Sequence, residues 1–182
     1  MEFATASAQT NVKITVAPEL AAYGITLVPA TDPDAAAQLQ QRAGVDLAMI
    51  QSIRRYAVVL LNNSDKRLLQ TTVGYKWRDA EGNPKMFLYS LMDYNVDPPT
   101  QIKPGEGRLF VPQQGLNLHF GMVPRGAMPA GYQDIVAAIE KDLSQVTNIE
   151  VFLDSVTVEG FGVVGPDRFG VREKDNNRST TY

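Results

Sequence analysis

A chain of 182 residues can bury one sizeable core, and its hydrophobic fraction of 44% with 20% charged residues is ordinary for a globular domain. A net charge of −3 excludes the basic footprint of a nucleic-acid binder, and no window approaches the roughly 18 consecutive apolar residues of a membrane-spanning helix. The lack of cysteine excludes disulfides, thiolate zinc sites and cysteine nucleophiles.

The N-terminal MEFATASAQTNVKITV has neither the basic start nor the apolar stretch of a signal peptide. A cytoplasmic protein and a mature exported chain both fit that reading. Residues 11–17, NVKITVA, alternate Val12, Ile14 and Val16 against Lys13 and Thr15, which predicts a half-buried strand ended by Pro18. YGITLVPA (23–30) predicts a second short strand. TDPDAAAQLQQRAG (31–44) then switches to a helix, with Thr31 or Asp32 as its cap, Pro33 in the first turn and Gly44 at its stop.

The stretch from 56 to 93 predicts a three-strand meander with one dry face. YAVVLLN is a buried strand, NSDK (63–66) is a turn, and LLQTTVGYKWR (68–78) alternates. Leu69, Thr71, Val73, Tyr75 and Trp77 fall on its inner face, so Trp77 and Tyr75 are read as core aromatics. DAEGNP (79–84) is a hairpin loop, and KMFLYSLMD (85–93) returns. RLFVP (108–112) and LNLHFG (116–121) are further short strands. YQDIVAAIEKDLSQV (132–146) sets Tyr132, Ile135, Val136, Ile139, Leu143 and Val146 on one stripe, which predicts an amphipathic helix sealing an edge or open end of the sheets. NIEVFLDSVTVE (148–159) is apolar on both faces and is expected to be a central strand.

Four constellations bear on chemistry. Gly160, Gly162 and Gly165 spell G-x-G-x-x-G, but a dinucleotide site needs a helix to start within the glycines, and Pro166 and Asp167 signal a turn instead. Asp93, Asn95 and Asp97 have the spacing of the first calcium-loop ligands. Pro98 and Pro104 at the sixth and twelfth positions exclude a calcium hand and leave only a casual loop site. His119 is the one histidine and reads as an exposed strand residue; no G-x-S-x-G elbow accompanies it. Glu150 and Asp154 share a strand face with Phe152 and Val156. Asp154 is therefore the candidate buried acid, read as a structural polar group that bonds backbone N–H groups or an arginine. Asn62-Asn63-Ser64 and Asn177-Arg178-Ser179 match the glycan-acceptor pattern.

The runs YAVVLLNNSDKRLLQTTVGYKWRDAEGNP, IKPGEGRLFVP and VFLDSVTVEGFGVVGPDRFGV resemble exported bacterial Ig-like sandwich proteins of unknown function. The shared features are an N-N-S-D-K turn, a Trp ending the next strand and an L-D-S-V…G-P-D segment. The likeness covers roughly residues 56–171. It implies an Ig-like sandwich and export to a secreted, periplasmic or cell-surface location, and it carries over no catalytic residue.

The expected fold is mainly β: an Ig-like antiparallel β-sandwich over 49–172 with helix 132–146, an N-terminal strand and helix extension over 1–48, and a polar tail over 173–182. The expected function is a non-catalytic extracytoplasmic binding or assembly module that joins a protein partner or its own copies by strand addition, with NVKITVAPEL lent to a neighbour or folded back. No cofactor, nucleic acid or transmembrane segment is expected. The alternative is a carbohydrate- or calcium-linked recognition domain using loops 93–107 and 121–131. A third reading, a hydrolase using Asp154 with Glu150 or His119, requires two of those side chains within hydrogen-bonding reach.

Overall fold

Period-two patterning turns one face of most strands to the core, and the described residues hold eight strands. The computed structural model describes residues 10–38, 51–91, 101–112 and 132–169. In chain order they hold β1 (Asn11–Val16), α1 (Pro18–Ala22), β2 (Ile25–Pro29), α2 (Pro33–Gln38) and a short 3-10 turn (Arg54–Tyr56). Next come β3 (Val58–Asn62), β4 (Leu68–Arg78), β5 (Pro84–Leu91) and β6 (Gly107–Phe110), then α3 (Tyr132–Leu143), β7 (Asn148–Val158) and β8 (Gly162–Val164). A large sheet runs β1-β7-β4-β5, with β8 also on β7; a small sheet runs β2-β3-β6. The fold is mainly β, two-sheeted and sandwich-like. None of the described helices is long and apolar enough to cross a membrane.

Two features of the topology differ from the expectation. First, β3 and β4 do not pair in a meander. β3 joins the small sheet between β2 and β6, and β4 joins the large one between β7 and β5. Asn62 makes the crossing. Its side-chain amide donates to the Lys66 carbonyl (2.8 Å) and the Ile102 carbonyl (3.0 Å). Its Oδ1 accepts from the Ser64 backbone N–H (3.1 Å) and hydroxyl (2.6 Å). A fully buried carboxamide thus stands in for the main-chain pairing that a hairpin would have supplied. Second, the large sheet is not wholly antiparallel, because β1 lies parallel to β7, from Asn11 opposite Asn148 to Val16 opposite Leu153. Both strands start at the same end of the sheet. There the Thr10 hydroxyl donates to the Val146 carbonyl (3.2 Å) and the Asn11 N–H to the Thr147 carbonyl (2.7 Å).

The segment read as an N-terminal extension supplies one strand to each sheet, and Leu20, Ile25 and Leu27 are buried in the shared core. Past Pro18 the chain makes one helical turn, with proline in the first turn where no N–H is needed. Asp32 caps α2, its Oδ1 accepting from Asp34 N–H (2.9 Å) and Ala35 N–H (3.0 Å). The α3 stripe Val136, Ile139 and Leu143 joins the same core, followed by Val146. The Tyr56 hydroxyl donates to the Leu143 carbonyl at 3.0 Å and fastens the end of α3 to the turn before β3.

Two bulges break the β4–β7 ladder. Leu69 is the extra residue between the pairs Leu68–Val158 and Gln70–Thr157. Asp154 is the extra residue between Thr72–Ser155 and Val73–Leu153. The first bulge puts Leu68 in the core and leaves Leu69 only half-buried. Below the second, Val73, Tyr75 and Trp77 lie in the core with Leu153, Val151 and Ile149 as their respective cross-strand partners.

Candidate functional site

Because neighbouring strand residues face opposite ways, the residues between those core positions form the outer face of the large sheet. The register stacks that face in rows. One row runs Thr15, Phe152, Gly74, Leu88, and the next runs Lys13, Glu150, Lys76, Met86. Phe152 is 2% exposed yet stands apart from the core between the sheets. Its ring lies over Gly74, where an added Cβ would overlap the ring carbons. The Lys76 ammonium (4.8 Å) and the Arg168 guanidinium (5.0 Å) approach the ring, and Phe169 stacks on it with centroids 5.8 Å apart.

Arg168 also donates from Nε to Asp154 Oδ1 at 2.7 Å. Asp154 is fully buried while the Arg168 side chain is 53% exposed. Asp154 Oδ2, Ser155 Oγ and Thr72 Oγ1 are buried around the bulge with no hydrogen-bond partner among the described residues. Gly165 makes the turn to Arg168 fit: a Cβ there would collide with the Asp154 carbonyl, and its φ of 109° suits glycine. The three glycines therefore build a β7–β8 hairpin and a turn back onto the Asp154 bulge, with β8 antiparallel to β7 from Val158–Gly162 to Val156–Val164.

Toward the start of β7 the outer face opens into a cleft of about 800 Å³. Lys13 of β1, Lys76 and Arg78 of β4 and Lys85 of β5 line it, facing two carboxylates, Asp79 and Glu150. Lys85 pairs with Asp79 at 3.2 Å, and Arg78 Nη1 donates to the Gly82 carbonyl at 2.7 Å. Burial acts to raise the Asp79 carboxyl. The Asn83 N–H, the Lys85 ammonium and the Asn83 amide outweigh it and hold the group below its ordinary value. Asn11, Gln145 and Asn148 border the cleft with carboxamides, and Pro84 and Met86 give it an apolar end. Below the same end of the sheet, burial pushes the Tyr56 phenol above its ordinary value, against the opposing pull of Arg55.

The sequence candidates fare differently. Trp77 and Tyr75 pack in the core, with Trp77 reaching the cleft edge. Asp154 is taken by Arg168, and Glu150 lies in the cleft row; among the described residues the two carboxylates do not form a hydrogen-bonded pair, so the Asp154–Glu150 form of the acid–base reading has no geometry behind it, while its His119 form falls outside the described residues. Asn62 is a buried, fully engaged turn residue, which rules out a glycan on it in the folded chain. Asp93, Asn95, Asp97, His119, Asn177 and loop 121–131 lie outside the described residues, as does most of loop 93–107. Among the described residues no group of three or more His, Asp or Glu is placed to hold a metal ion. Sequence reasoning missed the cleft. Its signal was the alternation that set Lys13, Lys76 and Arg78 on solvent faces, but only the strand register brings those faces together.

No family model matches the chain, and no curated protein or solved structure matches it either.

Proposed function

We propose that the chain is a non-catalytic, Ig-like binding and assembly module that works outside the cytoplasm and joins its partner, or a second copy, by strand addition at a sheet border. The observation that carries this reading is β5. It ends the large sheet, runs eight residues as PKMFLYSL, and has Lys85 as its only charge. No described strand lies beyond it, and Met86 is 52% exposed. Long apolar border strands template pairing with another chain unless charge, proline or a bulge blunts them. Here proline and lysine occupy only the first two positions.

On the other border of the sheet, β1 and β8 lie end to end along β7. NVKITVAPEL is thus folded back on its own chain, and lending it would require an exchange of β1. The Ig-like and extracytoplasmic parts of the proposal rest on the resemblance of the N-N-S-D-K and G-P-D segments. Light scattering during size exclusion tests the assembly: the full chain gives a mass that rises with concentration, and Met86→Lys returns it to the monomer. A wild-type chain that stays monomeric at every concentration and captures no strand from a peptide library ends the proposal. Fractionation that finds the native protein only with cytoplasmic markers removes its location.

A further inference from the structure

We infer that the cleft at the start of β7 is a docking site for an extended acidic peptide segment of a partner protein. Four cations face two carboxylates there, a local excess of positive charge on a chain whose net charge is −3. The cations come from three separate strands, with Lys13 on β1, Lys76 and Arg78 on β4, and Lys85 on β5. The row from Lys13 to Met86 crosses four strands, or about 14 Å at the usual strand spacing. An extended peptide of about four residues spans that distance.

The lining suits a peptide better than a small acid. Asn11, Gln145 and Asn148 bring both donors and acceptors to the rim, which is what a peptide main chain needs. Met86 offers an exposed apolar contact for one side chain. Small-molecule sites enclose most of their ligand, whereas this cleft lies open along a sheet face. Glu150 sits between Lys13 and Lys76 in the row and repels a carboxylate placed directly over it, so the acidic groups are read at an interval rather than as a continuous run. The cleft shares Pro84, Lys85 and Met86 with the start of the β5 border, so the two readings are told apart at Lys13, Lys76 and Arg78, which lie on β1 and β4 and take no part in pairing at β5's free side.

The test is fluorescence polarisation with a labelled peptide of alternating Glu and Ser, against a Lys/Ser peptide of the same length and against heparin. The acidic peptide binds, the basic one does not, and raising salt weakens binding. Reversing charge with Lys76→Glu together with Arg78→Glu weakens the acidic peptide by tenfold or more. Lys13→Glu, on an exposed position of a border strand, weakens it severalfold with an unchanged melting temperature. Lys66→Glu, at the far end of the sheet, leaves it unchanged. The inference is overturned if the acidic peptide does not bind, if Lys66→Glu weakens it as much as Lys13→Glu does, or if heparin displaces the peptide, binds the wild type more tightly than the peptide does and loses that binding in the Lys76/Arg78 reversal.

Discussion

The two ends of the large sheet are built to opposite plans. At the end where β4 begins and β7 finishes, polar groups are spent on the protein itself. Asn62 bonds the crossing between the sheets, Ser64 Oγ accepts from the Lys66 N–H at 3.2 Å, and Phe161 meets Tyr23 edge to face at 5.8 Å. At the other end, cationic side chains of three strands stand over a cleft, and the ion pair there, Lys85 with Asp79, is half-buried at Asp79 and open to solvent at Lys85. Buried, paired groups hold a structure together; solvent-facing ones of one sign add little to stability and stay available for an outside partner. The contrast separates the part of the sheet that fixes the fold from the part that offers a surface.

The largest expected effect lies between the two ends. Gly74→Ala drives a methyl group into the Phe152 ring and should cost about 3 kcal/mol, read as a fall in melting temperature of roughly 6–12 °C. Adding Phe152→Leu should recover part of that loss, giving a coupling in a double-mutant cycle that independent sites would lack. Next comes the closed end: Asn62→Ala removes the amide donor to the Lys66 and Ile102 carbonyls and the acceptor of the half-buried Ser64 N–H, and should cost about 2–3 kcal/mol by denaturant titration. A loss below about 0.5 kcal/mol would erase the contrast between the ends.

Tyr56→Phe is smaller. It removes the donor to the Leu143 carbonyl and should cost about 1 kcal/mol, loosening α3 without opening the sheets. The smallest effect belongs to the open end. Asp79 has a folded-state value lowered from 3.8, so its stabilisation is present above that value and is lost as pH falls through the lower folded one. Wild type should therefore melt slightly above Asp79→Asn near neutrality, and the two should converge in strong acid. A gap that widens in acid would reverse the sign assigned to this carboxylate.

Much of the strand content was legible because alternation is a local signal. β1, β4 and β7 and the α3 stripe could be read from apolar spacing alone. The need of Asp154 for a donor could be read from its apolar neighbours, but Arg168 could not be singled out, because the contact depends on the glycine turn returning to the bulge. Pairing was less legible. NSDK looks like a hairpin turn, and nothing in the local pattern says that Asn62 will bond Ile102, forty residues away, and send β4 to the other sheet. The bulges were hidden for a similar reason: Leu68 and Leu69 are adjacent leucines, and only the pairing with β7 decides which one enters the core. The cleft lay beyond sequence reading because its charges converge through register, from positions as far apart as Lys13 and Glu150.

The parallel β1–β7 pair has a kinetic consequence. Asn11 finds Asn148 only after the chain between them has been drawn together, and the entropy of closing so long a loop must be met before any of those six register positions is rewarded. β4, β5 and β7 have nearer neighbours to organise them, so the N-terminal strand should dock late, onto a sheet that is already formed. In the native state it should also be the first to peel away, its amides exchanging with solvent while those of β7 beneath stay protected on the β4 side.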